Sequence, residues 1–436
     1  MKIAIYTLGC KVNQYESQAM ERELLRRGHT LTDFDGPADA YIVNTCTVTA
    51  VSDKKCRNII RRVRKNAPAA VVAVCGCYAQ TDRSAVAALG VDLVSGSAGR
   101  IDFLDRLEGL LQSREGPVVE VDIALSRRDF ERLPAGGAAG RTRAMLKVED
   151  GCVNFCAYCI IPYARGPVRS LPLGEAVEQV RCLAREGYRE VVLTGIEISS
   201  WGQDLKTGQT LTELIEAVCA AAPELRVRLG SLEPRTVTED FCRRAAALPN
   251  LCPHFHLSLQ SGCDATLARM NRKYDTARYY ESVRLLREYF PDPGITADLI
   301  TGFPGETVEE FTRTLAFLEK CSFTAMHVFP YSRRPGTPAA AMPDQVPKGE
   351  KEERARRAIA LAARMERRWL GRQVGRTLPV LFEEEKDGRW QGHTPNYALV
   401  RAKGEGLHNR LLDVEITGVE GETLIGVLHD KFVPFS

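Results

Sequence analysis

Short apolar runs alternate with amphipathic helical stretches across residues 1–112. Strand-like runs lie at Ile3–Leu8, Ala40–Thr45 and Ala69–Cys75, and helical periodicity lies at Ser17–Arg27 and Asp53–Arg64. Strands that alternate with helices are typical of a parallel sheet, because each helix carries the chain back to the start of the next strand. The pattern therefore predicts an α/β fold that begins with an open parallel sheet.

The same alternation resumes after a segment rich in small residues. Residues 113–140 include Leu133-Pro-Ala-Gly-Gly-Ala-Ala-Gly, a composition typical of a flexible linker. Residues 141–371 contain enough strands and helices for a partial (β/α)6 barrel, with its function expected at the carboxyl ends of the strands. The predicted strands are Ala144–Val148, Glu190–Gly195, Arg226–Leu229, His254–Leu259, Gly294–Ile300 and Ala325–Phe329.

The last part of the chain, residues 372–436, changes to short strands and turns. A highly charged helix, Lys348–Arg372, comes directly before it. The pattern predicts a small all-β barrel, an architecture that often binds oligonucleotides. The predicted strands are Leu378–Phe382, Ala398–Arg401, Leu412–Ile416 and Thr423–Leu428.

Composition narrows the class of protein. The chain has 436 residues, of which 44% are hydrophobic. Its net charge of +3 is too small to indicate, by itself, a nucleic-acid partner. No stretch approaches the ~20 apolar residues of a membrane span, and the start of the chain predicts a strand, not a signal peptide. Fourteen cysteines, several close together, indicate metal chemistry in a reducing compartment instead of a disulfide framework. We therefore expect a cytoplasmic protein.

Three cysteines, Cys152, Cys156 and Cys159, lie in the loop expected after the first barrel strand. They offer three thiolates where an iron–sulfur cluster usually takes four, which would leave one iron open to a ligand. A structural zinc site would need a fourth ligand, and no His or Cys follows closely enough to supply it. The soft ligands and their spacing favour a cluster over zinc.

A second set of three cysteines is predicted from topology. Cys10, Cys46 and Cys77 each come just after one of the first three strands, and the carboxyl ends of parallel strands meet at one edge of a sheet. Cys75 and Cys56 compete for the third place. Cys75 falls inside an apolar strand and Cys56 inside a helix, where a cysteine usually packs as a small hydrophobic residue.

Polar residues follow several of the barrel strands. In the strand from His254 to Gln260, apolar and polar residues alternate, so one face is polar along its whole length. Polar side chains on several strands beside an open iron favour a bound polar cofactor. The candidate cofactor contacts, which include the tyrosine between the second and third cysteines of the loop, are Tyr158, Gly195, Glu197, Ser231, Glu233, Ser258, Gln260 and Asp298.

The Cys-x-x-x-Cys-x-x-Cys motif at the head of a partial barrel resembles the signature of radical S-adenosylmethionine (SAM) enzymes. Ile160-Ile-Pro-Tyr-Ala-Arg-Gly-Pro-Val-Arg-Ser, Ser258-Leu-Gln-Ser-Gly-Cys and Met270-Asn-Arg-Lys-Tyr resemble segments of the methylthiotransferases of that superfamily. Gly9-Cys-Lys-Val-Asn and Asn44-Thr-Cys-Thr-Val-Thr resemble their N-terminal domain, and the predicted terminal barrel resembles their TRAM domain. The run from Asn44 to Cys56 is similar to the branch that acts on threonylcarbamoyladenosine beside the tRNA anticodon.

The resemblance implies two [4Fe–4S] clusters and SAM as cofactors. It implies that the cluster on Cys152, Cys156 and Cys159 binds SAM, and that the cluster on the other three cysteines supplies the sulfur of a methylthio group inserted at C2 of the adenine. The implied partners are a tRNA anticodon loop and a small electron donor protein, with no membrane and no DNA. The candidate RNA contacts are Arg165, Arg169, Arg272 and Lys273.

Three alternatives stay open at this point. The first is a methylthiotransferase that acts on isopentenyladenosine in tRNA, and the second is one that acts on an aspartate of a ribosomal protein. The third is a non-catalytic RNA-binding metalloprotein.

Overall fold

The structure, a computed structural model, describes residues 1–113, 116–137 and 140–429. Its first part is a parallel sheet of six strands in the order β2-β1-β3-β4-β5-β6, with helices on both faces. The elements are β1 Lys2–Thr7, α1 Lys11–Arg26, β2 Thr30–Leu31, β3 Ala40–Thr45, α2 Ala50–Asn66, β4 Val71–Gly76, α3 Cys77–Thr81, α4 Arg83–Ala87, β5 Leu93–Ser95, α5 Arg100–Gln112 and β6 Val118–Glu120.

Two apolar cores, one on each face, stabilise this sheet. Neighbouring residues of one strand belong to opposite cores, as Ile42 and Val43 do on β3. Helix α2 covers one face through Ile60 and Val63, and α1 and α5 cover the other. Because both faces are buried, the central strands are continuously apolar, which is why the sequence pattern located them.

Part of the predicted linker is built into the fold. β6 pairs with β5 and extends the N-terminal sheet, so the sheet ends beyond the predicted boundary at residue 112. Phe130 and Leu133 are buried in the core of the next domain. Residues 114–115 and 138–139 lie outside the described residues.

The central part contains a parallel partial barrel, as predicted. Its strands form two sheets, β7-β10-β11 and β12-β13-β14-β15, which meet at Gly230. The elements are β7 Arg143–Lys147, β8 Glu149–Asp150, α6 Ile161–Arg165, β9 Arg169–Ser170, α7 Leu173–Arg185, β10 Glu190–Thr194, α8 Leu211–Ala221, β11 Arg226–Leu229, β12 Ser231–Leu232, α9 Glu239–Ala246, β13 His254–Gln260, α10 Asp264–Arg269, α11 Thr276–Tyr289, β14 Gly294–Thr301, α12 Val308–Cys321, β15 Ala325–Pro330, α13 Pro338–Ala341 and α14 Lys348–Gly371.

The C-terminal part is a closed barrel of five strands in the order β16-β17-β18-β20-β19. The sequence predicted four of them and missed β17, because Arg-Trp-Gln-Gly-His lacks a clear alternation of apolar and polar residues. No helix in the described ranges is long and apolar enough to cross a membrane. The strands are β16 Thr377–Lys386, β17 Arg389–His393, β18 Leu399–Ala402, β19 Leu411–Glu420 and β20 Thr423–Leu428.

Candidate functional site

The loop between β8 and α6 carries Cys152, Cys156 and Cys159. Backbone hydrogen bonds hold it at both ends, from Cys152 N to the Gly166 carbonyl and from Ala157 N to the Met270 carbonyl, each 2.9 Å. Gly151 begins the loop with φ of 92°, and a Cβ at this position would lie 2.0 Å from the carbonyl oxygen of Pro167. Only glycine therefore allows the two backbones to approach so closely here.

The three thiols of this loop interact with one another. Burial raises the pKa of Cys152 and of Cys159 to about 12. Arg272 Nη1 donates a hydrogen bond to Cys156 Sγ at 3.1 Å. A thiolate-bound cluster would keep these sulfurs deprotonated, and the guanidinium group would offset part of its negative charge.

The second predicted set meets at the carboxyl edge of the N-terminal sheet. Cys10 directly precedes α1, Cys46 follows β3, and Cys77 begins α3. The Cys77 thiol interacts electrostatically with Cys10 and Cys46, and Arg165 Nε donates a hydrogen bond to its sulfur at 3.2 Å.

Cys75 and Cys56, the two alternative candidates for the third position of this set, lie elsewhere. Cys75 is fully buried in the sheet core. Cys56 lies on α2, and its thiol donates a hydrogen bond to the Cys46 carbonyl at 3.5 Å.

The two sets are neighbours, since the Cys159 thiol also interacts with Cys77. Among the described residues, no three His, Cys, Asp or Glu side chains are gathered around the position of one metal ion. A cubane cluster needs a wider arrangement, because each thiolate binds a different iron atom. Three soft sulfur ligands with an arginine beside them fit such a cluster in both places.

A cavity of about 190 Å³ lies between the N-terminal domain and the head of the barrel. Three of the predicted cofactor contacts line it, namely Tyr158, Gln260 and Asp298, together with Cys159. Gln260 has φ of 68° and lies where the pairing of β13 with β14 shifts register, so its backbone departs from the regular strand at the cavity. The remaining lining residues are Val48, Thr49, Ile160, Ile161, Ile300, Phe329, Pro330, Tyr331 and Ser332.

The other predicted cofactor contacts are not cavity-lining residues. The Glu197 carboxylate accepts hydrogen bonds from Ser199 N at 3.0 Å and Ser200 Oγ at 2.5 Å. Glu233 accepts from Arg235 Nε at 3.0 Å, and its own amide donates to Ser199 Oγ. Ser231, Gly195 and Ser258 lie on or at the end of neighbouring strands: Ser231 is exposed, and Gly195 and Ser258 are partly buried.

Comparison with known proteins matches both cysteine-bearing regions. The model of the Radical SAM superfamily matches residues 146–318, and that of the uncharacterized protein family UPF0004 matches residues 2–96. The threonylcarbamoyladenosine tRNA methylthiotransferase MtaB of Bacillus subtilis is 38% identical over 95% of this chain and 93% of that protein. The tRNA-2-methylthio-N(6)-dimethylallyladenosine synthase of Nitratidesulfovibrio vulgaris is 36% identical over 97% of each chain. The chain belongs to the radical SAM methylthiotransferase family.

Solved structures of other radical SAM enzymes share the fold of this methylthiotransferase. The methyltransferase TsrM from Kitasatospora setae superposes with a TM-score of 0.57 at 16% identity, over 78% of this chain and 75% of that chain. The cobalamin-dependent enzyme OxsB superposes with a TM-score of 0.52 at 11% identity, over 78% and 54%.

A buried carboxyl group of the methylthiotransferase was missed by the sequence reasoning. Glu149 Oε2 accepts a hydrogen bond from Glu197 N at 2.8 Å, while Oε1 has no partner among the described residues. Burial raises the pKa of Glu149 well above its ordinary value, and a Cβ on Gly195 would lie 2.7 Å from its carboxylate. The signal available in the sequence was an acidic pair, Glu149-Asp150, directly before the cysteine loop.

A buried network of charged residues joins the N-terminal domain to the barrel. Glu16 on α1 pairs with Arg165, with Arg100 at 3.0 Å and with Lys147 at 3.5 Å. Asp150 joins the network through Lys147 at 3.1 Å and Arg165 at 3.5 Å. All five side chains are almost completely buried, so this network fixes the two domains relative to each other.

This network corrects the predicted RNA contacts. Arg165 and Arg169 are buried, and both pair with Asp150, so they are not available to RNA and that prediction was wrong. Arg272 is partly buried and is directed at Cys156. Only Lys273 of the four is exposed, with its Nζ donating to Asn271 Oδ1 at 2.7 Å.

Proposed function

We propose that this methylthiotransferase inserts a methylthio group at C2 of N6-threonylcarbamoyladenosine next to the anticodon of tRNA. The observation that carries the proposal is the approach of two three-cysteine sets from different domains, through Cys159 and Cys77, beside a cavity that Cys159 lines. Generic radical chemistry needs one set, and sulfur insertion gives a reason for the second. The Bacillus subtilis relative, which carries this activity in its name, supports the choice of substrate.

Each set would hold one [4Fe–4S] cluster, on Cys152, Cys156 and Cys159 in the barrel and on Cys10, Cys46 and Cys77 in the N-terminal domain. When bound, the clusters supply the electron and the open iron for SAM cleavage and the sulfur for transfer. Tyr158, Gln260 and Asp298 present hydroxyl, amide and carboxylate groups to the cavity and would orient the polar parts of SAM. Val48, Ile300 and Phe329 present apolar surface there and would exclude water.

The substrate base must leave its stack to reach this cavity. Unstacking costs a few kcal/mol and is easiest in a single-stranded loop, where RNA sequence is usually recognised. The five-stranded C-terminal barrel, β16 to β20, has an architecture that often binds oligonucleotides. We assign it as a TRAM domain that holds the tRNA, in the cytoplasm, where an electron donor protein would supply the reducing electron.

Nucleoside mass spectrometry of tRNA from a strain that lacks the gene tests the proposal. We expect the 2-methylthio derivative of threonylcarbamoyladenosine to be absent and its unmethylthiolated precursor to accumulate. The wild-type gene should restore the derivative and lower the precursor. A Cys219→Ala gene is a matched control, because Cys219 is buried on α8, outside both sets. An unchanged methylthio-threonylcarbamoyladenosine peak contradicts the proposal, and loss of the dimethylallyl derivative instead would move the activity to the other tRNA branch.

A further inference from the structure

The interior of the barrel is polar and accessible to solvent. On β13 the outward-facing Leu257 and Leu259 are fully buried, whereas the inward-facing His256 and Ser258 are partly exposed. β14 repeats this pattern, with Asp298 on its partly exposed face. Successive side chains of a strand point to opposite faces. The partly exposed faces of β13 and β14 therefore line a solvent-accessible interior of the barrel, its lumen, below the cavity.

Tyr397 of the C-terminal barrel closes the floor of this lumen. Its ring stacks on His254 with 4.6 Å between ring centres and on His393 with 4.7 Å. The Arg228 guanidinium lies 4.7 Å from the ring centre, and Arg143 Nη1 donates to the hydroxyl group at 3.4 Å. The floor is therefore built jointly by the two domains.

The arginines of the floor already have partners. Arg226 and Arg228 both bind the buried Glu190 carboxylate, at 2.6 Å and 2.8 Å. Arg143 binds Glu383 at 2.5 Å. Three guanidinium groups against two carboxylates leave the floor with an excess of positive charge.

Lys11 adds a further cation from the N-terminal domain. It directly follows Cys10 on the first turn of α1, and its side chain is partly buried. The ammonium group lies near the floor, because it interacts electrostatically with Tyr397, Arg228, Arg143 and Glu190. Within the described part of the chain, no hydrogen bond or ion pair engages its Nζ.

The ammonium group of Lys11 lies among guanidinium groups whose carboxylate partners are already engaged, and the proximity of these like charges is unfavourable. A carboxylate bound there would relieve it. The substrate of the proposed function carries one, since the threonylcarbamoyl group ends in the α-carboxylate of threonine. That group leaves the adenine at N6, which lies on the same Watson–Crick edge as C2 with N1 between them. A base that presents C2 to the cysteines therefore holds the group beside the N-terminal set as well.

We propose that Lys11 binds the carboxylate of the threonylcarbamoyl group in the barrel lumen and so selects this nucleoside against one with an uncharged alkyl substituent at N6. This inference rests on the proposed function. It also gives a reason for the position of Lys11 beside Cys10: the residue that recognises the substituent and the residue that would hold the sulfur-bearing cluster are neighbours in the chain.

Binding of three anticodon stem-loop RNAs to the anaerobically reconstituted protein tests the inference. The RNAs are identical except at one position, which is threonylcarbamoyladenosine, its neutral methyl ester, or unmodified adenosine. We expect the wild-type protein to bind the free acid roughly tenfold or more tightly than the ester, as a charge-assisted hydrogen bond would provide. Lys11→Met should lose most of this preference and Lys11→Arg should retain it, with similar affinity of all three proteins for unmodified RNA.

Two outcomes overturn the inference. One is an acid-to-ester preference in Lys11→Met equal to that of the wild type. The other is a Lys11→Met protein that binds all three RNAs equally more weakly, or binds SAM more weakly. The first result would assign Lys11 to the structure of the Cys10 loop, and the second would assign it to cofactor binding. Iron content, measured on each variant, separates loss of a cluster from loss of recognition. A separate incubation of wild-type protein with the free-acid RNA, SAM and a reductant tests the proposed function, and absence of a methylthio product there leaves the binding comparison intact.

Discussion

The guanidinium group of Arg165 donates a hydrogen bond from Nε to the sulfur of Cys77, 3.2 Å away. Arg165 ends α6, the helix that follows the cysteine loop of the barrel, whereas Cys77 begins α3 of the N-terminal domain. The same guanidinium binds Glu16 through Nη1 and Asn13 Oδ1 through Nη2, the latter at 2.7 Å. One buried side chain therefore joins the helix that follows the barrel's cysteine loop to the N-terminal cysteine set.

Replacement of Arg165 by Met should destabilise the protein and empty the N-terminal cluster site. Glu16 and Asp150 would each lose a buried counter-charge, and removal of one partner of a buried ion pair costs about 3–5 kcal/mol. The measurements are anaerobic thermal unfolding and iron per chain after reconstitution. Arg284→Met, in an exposed ion pair on α11, should change stability by less than about 0.5 kcal/mol. A fully loaded, equally stable Arg165→Met protein would show that the network is not structural.

Substitutions in the two cysteine sets should abolish different steps of the reaction. Cys152→Ala should abolish the reductive cleavage of SAM, because the barrel cluster would lack a ligand. Cys10→Ala should still release deoxyadenosine from SAM but should yield no methylthio product. Deoxyadenosine and methylthiolated RNA are measured by mass spectrometry in the same reaction, with Cys219→Ala as the control that retains both. Full methylthiolation by Cys10→Ala would refute the assignment of the second set.

Glu149 should make the folded protein less stable as the pH rises. Its pKa in the folded state is raised by burial, so the folded state holds a proton that the unfolded state releases above its pKa of about 4.3. Stability then falls by up to about 1.4 kcal/mol per pH unit from this group until the pH passes the folded-state pKa. Glu149→Gln removes this pH-dependent loss of stability. The melting temperature of the variant, relative to that of the wild type, should therefore increase between pH 5 and pH 8. A pH-independent difference would indicate that Glu149 is ionised in the folded protein.

The contribution of Glu190 to stability should change with pH in the opposite direction. Burial alone would raise its pKa, but Arg228 and Arg226 outweigh burial and hold the pKa below its ordinary value. Its contribution to stability is therefore present above the unfolded-state pKa of about 4.3 and is lost as the pH falls toward the folded-state pKa. Glu190→Gln should cost about 3–5 kcal/mol at pH 7, because two guanidinium groups lose their partner, and less at pH 3. Unfolding of both proteins by urea across this pH range measures the difference, and an equal cost at both pH values would contradict it.

Local patterns located most of the longer strands, though not β17, and placed the cysteines at the ends of strands. The alternation in β13 predicted which face is polar, and Cys10, Cys46 and Cys77 followed from the rule that parallel strands end at one edge. The buried network could not be predicted, because Glu16 and Arg165 are 149 residues apart and become partners only when the two domains pack. Arginines are usually solvated, and the burial of Arg165 depends on Glu16 and Asp150, which bind it only in the folded structure. The role proposed for Lys11 could not be predicted either, because it depends on the floor of the lumen, to which Tyr397 contributes from the other end of the chain.

The exposed arginines at the end of α14 should contact tRNA phosphates. Arg364, Arg367 and Arg368 are exposed and lie just before the C-terminal barrel. Each phosphate contact contributes about 0.7–0.9 to the slope of log K against log salt concentration. Replacement of all three by Gln should therefore reduce the magnitude of that slope by about 2. Affinity for tRNA is measured by filter binding at several salt concentrations.

The control for this prediction replaces three exposed arginines on the outer helices α7 and α9, Arg181, Arg185 and Arg243, by Gln. Both triple variants lose the same formal charge, so a general effect of net charge would reduce the two slopes equally. A local contact reduces only the slope of the α14 variant. Equal slopes in the two variants would place the phosphate contacts elsewhere, with the exposed Lys273 beside the cysteine loop as the next residue to replace.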